Sequence, residues 1–384
     1  MGSLTRAAPT VLIVQLADPA LVNLILANAI VWSPLPGVLG SLAHRSANAY
    51  TEGTRLGVRG DAVKAVVMEQ YGGPEVLHLR DVPEPALSPA QVLVEVRAAG
   101  VNRGDLQRRE APPTEGAELP MIIGWEVAGV VRATGELIQN VRPGDRVVAI
   151  ITNGGYAELA ATLGPATLPI PDSLGFEEAA GIPVAYLTAW FALTRRAAVR
   201  GGETALIQAA GAGVGTAGVQ IARSRGARVI ATAGSDEKLA RIRELGANET
   251  INYRTTDFAQ AVRQLTGGRG VDVVLESVGG ETLIRSIELL APGGRLVSVG
   301  NTSAEFPPID SGLLMEKDIS LMGLYLGAEL MKSGAIDEFA KVVDLCARGE
   351  LKVVVDRVLP LSEAAQAHRI LADRANFGKV ILRP

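Results

Sequence analysis

The stretch IQAAGAGVGTAGVQIARSRGARVIATAGSDEK, residues 207–238, decides the fold. A strand pattern, TALIQA, runs into Ala210-Gly211-Ala212-Gly213-Val214-Gly215 and then into a run with helical spacing. Glycines there allow a tight turn and let backbone N–H groups approach phosphate oxygens, while the helix N-terminus favours their negative charge. The pattern is G-x-G-x-G rather than the full G-x-G-x-x-G, and glycine clusters also end ordinary strands. The strand before it, the helix after it and the βαβ setting together make it a dinucleotide loop.

The next strand, Arg228 to Ala233, ends on Gly234 where an NAD-type site places an acid for the ribose hydroxyls. Asp236 is the rival candidate, but Ser235-Asp236 ahead of EKLARIREL reads as a helix N-cap and first turn. Gly234 leaves space for an adenosine 2′-phosphate, Lys238 supplies positive charge, and Tyr253 ends the following strand within reach. The reading is NADP(H) rather than NAD(H).

Outward from this stretch, the two sides of the chain differ. Downstream, ETINY, DFAQAVRQLTG, VDVVLESV, GETLIRSIELLA and GRLVSVG alternate strand and helix, which implies a parallel sheet with helices on both faces. Upstream from Val63, VKAVVMEQ, EVLHLRDV, QVLVEVRAAG, WEVAGVVRATG and DRVVAII are short strands divided by Gly, Pro and Asp turn signals. That predicts a compact antiparallel β-rich domain. From about residue 327 helices return, and the chain closes on GKVILRP.

Composition bounds the function. With 384 residues the chain is long enough for about two domains, and a net charge of −4 offers no basic stripe for nucleic acid. A single cysteine, Cys346, rules out an internal disulfide and a Cys-rich zinc lobe, and its helical setting reads as a buried thiol. His44, His78 and His368 are too scattered for a multi-histidine metal site. Residues 1–62 differ in texture. Their apolar run is interrupted by Gln15, Asp18, Pro19, Asn23 and Asn28, and only Arg6 precedes it, which fits neither a spanning helix nor a signal peptide. They read as an extension of unclear role, dispensable for the fold, on a cytoplasmic protein.

The strings VKAVVMEQYGGPEVL, AGVNRGDL, GWEVAGVV, GDRV, GGYAEL, AAGAGVG, INYR, GGRGVDVVLESVGG, LAPGGRLVSVGN and GKVILRP, in order from Val63 to Pro384, resemble the medium-chain dehydrogenase/reductase superfamily. More narrowly they are similar to its zinc-free, zeta-crystallin-like quinone oxidoreductases. The resemblance implies an α/β protein: a GroES-like β-rich catalytic domain over 63–186, completed by 327–384, and a Rossmann doubly wound parallel-sheet domain over 187–326. It also implies NADPH in the interdomain cleft and a homodimer. By position, Ala212, Gly213, Val214 and Gly215 form the phosphate loop. Gly234, Lys238, Tyr253 and Arg374 meet the 2′-phosphate, and Asn102, Thr188, Ser277, Gly300 and Asn301 line the nicotinamide side.

Zinc-dependent relatives carry Cys and His where this chain has Asn102 and Trp125. An amide is a poor zinc ligand and an indole offers only a donor N–H. No metal is expected. Hydride delivery to the β-carbon of an enone or quinone pushes charge onto oxygen, and the Asn102 amide is the candidate donor for it. Trp125 reads either as the planar wall of the substrate pocket or as core. Gln107 stands near where some quinone reductases have a tyrosine, which leaves the proton donor unassigned, and Asp105 reads as a turn or cap carboxylate. The leading expectation is an NADPH-dependent reductase of quinones or α,β-unsaturated carbonyls. The alternatives are a free-standing enoyl-thioester reductase and a non-catalytic NADPH-binding sensor or structural protein.

Overall fold

The computed structural model describes residues 62–111 and 119–384. The N-terminal extension therefore lies, apart from Ala62, outside the described residues. Strand β1 (Ala62–Met68) pairs with β2 (Leu77–Pro83) and β4 (Met121–Ile122) in a small sheet. Beside it stands a larger sheet of β3 (Gln91–Val101), β5 (Glu126–Thr134), β6 (Arg146–Ile150), β7 (Leu159–Leu163) and β8 (Thr167–Pro169). Strands β3 and β5 are buried along most of their length, with one exposed residue each at Arg97 and Arg132, as expected of central strands of the sheet. Two strands from the far end of the chain, β15 (Val355–Pro360) and β16 (Lys379–Arg383), complete that sheet, with β16 antiparallel to β3 through Val380 opposite Val101.

Between them lies a six-stranded parallel sheet: β9 (Thr204–Ile207), β10 (Arg228–Ala233), β11 (Glu249–Asn252), β12 (Val271–Glu276), β13 (Leu290–Ser298) and β14 (Ser320–Gly323). The spatial order β11-β10-β9-β12-β13-β14 puts the first strand in the middle. Order therefore reverses between β9 and β12, and at such a switch point ligands bind beyond the carboxyl ends of the strands. Strands β9 and β10 are almost wholly buried, as expected where helices cover both faces.

One hydrophobic cluster joins the two parts. It runs from Ala98, Ala128 and Val148 of the mixed sheet through the helix Ala185–Trp190 to Ile207 and Leu275 of the parallel sheet and Ala217 on the helix Gly213–Ser224. Cys346 sits in this core on the helix Ala335–Ala347, and burial pushes its thiol up to about 12, so it is an inert space-filler. Among the described residues, no helix is long and apolar enough to cross a membrane.

Candidate active site

Strand β9 ends at Ile207, and the chain turns through 208–212 into the helix Gly213–Ser224, which has no acidic residue in its first turn. Its N-terminus thus presents free N–H groups without competing negative charge. The C-terminal segment crosses this loop: Gly378 N–H donates to the Gly211 carbonyl at 2.8 Å, and Ala212 bridges Gly378.

At the end of β10 a basic cluster forms around Gly234. A Cβ built at Gly234 would fall 2.7 Å from the Tyr253 hydroxyl oxygen and 3.2 Å from Arg254 Nε. A side chain there would displace the flexible ends of Tyr253 and Arg254, and the open space expected from sequence is partly filled by Tyr253. Lys238 Nζ donates to the Arg374 carbonyl at 2.6 Å, which brings the tail onto the same cluster. Burial lowers the Lys238 pKa, and the Arg254 and Arg241 charges add to the effect against Asp356 and Glu237. Ser235 Oγ accepts from Lys238 N–H at 3.3 Å, and Asp236 accepts from Asn252 Nδ2. Both belong to the helix start, as read from sequence.

The opposite wall of the cleft is the helix Arg103–Glu110. Gln107 Nε2 donates to the Asn301 carbonyl at 3.4 Å, tying that helix to the loop after β13. Asn301 is held by Ser303, whose Oγ donates to its Oδ1, and by its own Nδ2 bond to the Glu305 carbonyl. Ser277 follows β12 on a turn pinned by Glu276, whose buried carboxylate accepts from Val278 and Gly279 N–H. Gly300 lies exposed at the end of β13, and Thr188 is buried on the Ala185–Trp190 helix. Trp125 is half-buried, and its ring lies so close to Gly104 that a Cβ there would fall 2.1 Å from the indole. Glycine at 104 lets the edge of the indole's six-membered ring press against the first turn of the helix.

Asn102 precedes that helix, and its side chain departs from the expectation of an amide facing the cleft unencumbered. Nδ2 donates to Glu126 Oε1 at 2.8 Å, and Oδ1 accepts from Lys379 Nζ at 2.6 Å. Lys379 also donates to Glu126 Oε1 at 2.6 Å and to the Val101 carbonyl at 3.0 Å, so all three ammonium hydrogens are used. Glu126 Oε2 accepts from Val184 N–H at 2.7 Å. This buried amide–carboxylate–ammonium group escaped the sequence reading. The signal for it was a charge inside each of two apolar strand patterns, Glu126 in WEVAGVV and Lys379 in GKVIL.

A second buried chain lies behind it. Arg109 Nη1 is 3.0 Å from His368 Nδ1, His368 Nε2 is 3.3 Å from the Tyr156 hydroxyl, and that hydroxyl donates to Asp105 Oδ2 at 2.9 Å. Arginine can only donate, so His368 carries its hydrogen on Nε2 and every bond points toward Asp105. Asp105 Oδ2 also accepts from Asn102 N–H at 2.8 Å, as a first-turn carboxylate, while its Oδ1 is buried without a partner. Burial raises the Asp105 carboxyl to about 7 and, with the Arg109 charge, depresses His368 to about 3.

Among the described residues, no group of three or more His, Cys, Asp or Glu is placed to hold a metal. The donor types at 102 and 125 do not fit a catalytic zinc.

Comparison with known proteins bears on the whole chain. Residues 88–188 match the alcohol dehydrogenase GroES-like domain and residues 213–348 the family described as zinc-binding dehydrogenase. A quinone oxidoreductase of Rattus norvegicus is 35% identical over 325 residues, covering 83% of this chain and 97% of that protein. The structure of Escherichia coli quinone oxidoreductase complexed with NADPH superimposes with a TM-score of 0.78 at 30% identity, covering 85% of this chain and 100% of that one. The structure of the CurK enoyl reductase gives a TM-score of 0.76 at 29% identity, covering 84% of this chain and 99% of that one.

Proposed function

The chain belongs to the medium-chain dehydrogenase/reductase superfamily, in its quinone oxidoreductase branch, and from that premise we propose that it reduces quinones or α,β-unsaturated carbonyls with NADPH and without zinc. One observation carries the reading: the cleft wall presents the Asn102 amide and the Trp125 ring at positions whose side chains cannot serve a catalytic zinc.

The cofactor reading rests on the cluster around Gly234. Lys238, Arg254 and the Tyr253 hydroxyl converge there, Arg374 joins from the tail, and the carboxylate that follows β10, Asp236, is engaged by Asn252 as part of the helix start. Ala212, Gly213, Val214 and Gly215 would hold the pyrophosphate at the helix start, and Thr188, Ser277, Gly300 and Asn301 would border the nicotinamide. When bound, the reduced nicotinamide supplies a hydride. The protein's part is to stabilise the negative charge that develops on the acceptor oxygen. Asn102 Nδ2 gives one hydrogen to Glu126, and the other is the donor we assign to that oxygen. Lys379 polarises the same amide through Oδ1, which strengthens its N–H bonds as donors. Trp125 provides a planar apolar face for a ring-shaped acceptor. Gln107 cannot release a proton at neutral pH, so water protonates the enolate.

A homodimer is part of the proposal. Among the described residues, β14 has a strand partner on one side only, and an unpaired edge is a ready site for a second chain. Light scattering tests it.

The decisive experiment follows NADPH absorbance with 1,4-benzoquinone, a simple enone, an enoyl thioester, and a secondary alcohol with NADP. The expected result is turnover of the quinone or enone, negligible alcohol oxidation, and less than stoichiometric zinc by elemental analysis. Brisk alcohol oxidation with one zinc per chain would overturn the proposal. Turnover of the enoyl thioester alone would favour the biosynthetic enoyl reductase. An inert protein that still binds NADPH would favour the sensor.

A further inference from the structure

The helix Arg103–Glu110 carries two neighbouring buried arginines with opposite circumstances. Arg109 is fully engaged: Nε donates to the Gly72 carbonyl, Nη1 faces His368 and Nη2 pairs with Glu110. Arg108 is 6% exposed, has no ion pair among the described residues, and its buried Nε has no hydrogen-bond partner. A guanidinium cannot shed its charge, so leaving it buried without a counter-ion is costly.

Position says what would complete it. Arg108 lies one turn after Gly104 on the same helix face, and Gly104 is the residue that the edge of the Trp125 ring touches. Gln107, next to it, touches the loop after β13. Beyond Arg108 stands Tyr325, directly after β14 and therefore at the carboxyl edge of the parallel sheet. Burial lowers the Arg108 pKa, and the groups acting against that are two phenols, Tyr71 and Tyr325, rather than a carboxylate. Arg108 thus lies one turn from the glycine that Trp125 touches and near the phenols of Tyr71 and Tyr325, with no carboxylate paired to it among the described residues.

We infer that Arg108 is a specificity residue that recognises an anionic substituent, a carboxylate or sulfonate, on the ring-shaped acceptor. The inference rests on the acceptor reading above and adds the charge of the substrate to it. A planar anion would meet the guanidinium through paired N–H bonds, leaving the reactive ring against Trp125. Such an acceptor brings its counter-charge into the site, so the charged contact is completed only in the complex.

The test compares 1,2-naphthoquinone with 1,2-naphthoquinone-4-sulfonate in the wild type, R108Q and R108K. R108Q is expected to raise KM for the sulfonated quinone by roughly ten- to a hundredfold, with the neutral quinone nearly unchanged. R108K should recover part of the loss. Equal changes for both quinones, or none for the sulfonated one, would overturn the inference. A direct titration with 1-naphthalenesulfonate and neutral 1-naphthol stands apart from turnover. If the wild type binds the sulfonate no more tightly than 1-naphthol, the inference falls even where R108Q fails to fold. If the wild type reduces neither quinone yet binds the sulfonate selectively, the acceptor reading fails while the assignment to Arg108 stands.

Discussion

Lys379 on β16 and Glu126 on β5 form an ion pair of 2.6 Å in which neither side chain is more than 3% exposed. One belongs to the last strand of the chain and the other to the strand that begins beside Trp125. The pair clamps the Asn102 amide from both ends, Oδ1 by the ammonium and Nδ2 by the carboxylate, and so sets its rotamer.

Breaking the pair on one side leaves a buried charge alone. Lys379→Met and Glu126→Gln should each destabilise the fold by about 3–5 kcal/mol in chemical denaturation. The double variant should lose less than the sum, because neither charge is then orphaned. Additive losses would show that the two groups do not act as a pair.

Cofactor preference should follow the cluster at Gly234. Lys238→Ala is expected to weaken NADPH binding by roughly ten- to a hundredfold, and Arg254→Ala should act in the same direction. NADH affinity should barely move in either variant. A matching loss for both cofactors, measured by fluorescence titration, would remove the 2′-phosphate assignment.

Gly104→Ala tests the Trp125 wall. The added methyl carbon would stand 2.1 Å from the indole, so the ring must leave its place. Tryptophan fluorescence should shift, and kcat/KM for a quinone should fall by up to about a hundredfold. NADPH affinity should stay constant, since the cofactor contacts lie elsewhere. Unchanged quinone kinetics with a displaced ring would return Trp125 to a core role.

The Asp105 carboxyl makes stability depend on pH in a defined direction. Its pKa is raised to about 7 in the fold from an ordinary 3.8, so the folded protein holds a proton that the unfolded chain has lost between these values. Its contribution is complete below about pH 4 and disappears as pH rises through about 7. In Asp105→Asn the amide oxygen can still accept from Tyr156 and Asn102. The variant should therefore gain on the wild type by on the order of 1–4 kcal/mol between those pH values. His368 has the opposite sign: its depressed pKa gives stability above about 6.5 that is lost toward about pH 3. A stability difference between wild type and Asp105→Asn that ignores pH would contradict the assignment.

Much of the architecture is legible in residue order because it depends on local periodicity. Short Val- and Ala-rich runs between turn signals mark β3 and β5, and the glycine turn of residues 211–215 leads into a helix. Alternating strand and helix patterns after Thr204 demand a parallel sheet, and the actual order β11-β10-β9-β12-β13-β14 is a doubly wound one. Ser235 as helix cap and Cys346 as buried thiol also follow from their immediate neighbours. These are short-range patterns, and chain geometry alone propagates them.

The chemistry of the cleft depends on partners far apart in the chain. Lys379 reaches Asn102 and Glu126 only because β16 pairs antiparallel with β3, which sets Val380 opposite Val101. The line from Arg109 through His368 and Tyr156 to Asp105 draws on three separate segments, and burial is the largest cause of the pKa shifts along it, with neighbouring charges adding to it or opposing it. Sequence by itself therefore determined the two kinds of sheet, the glycine turn that leads into the helix after β9, and the residue types at 102 and 125. Only the tertiary structure decided that the Asn102 amide is clamped, that Tyr253 and Arg254 cover Gly234, and that Arg108 has no ion pair among the described residues. Hydrogen bonding and desolvation act through space, and no spacing along the chain encodes them.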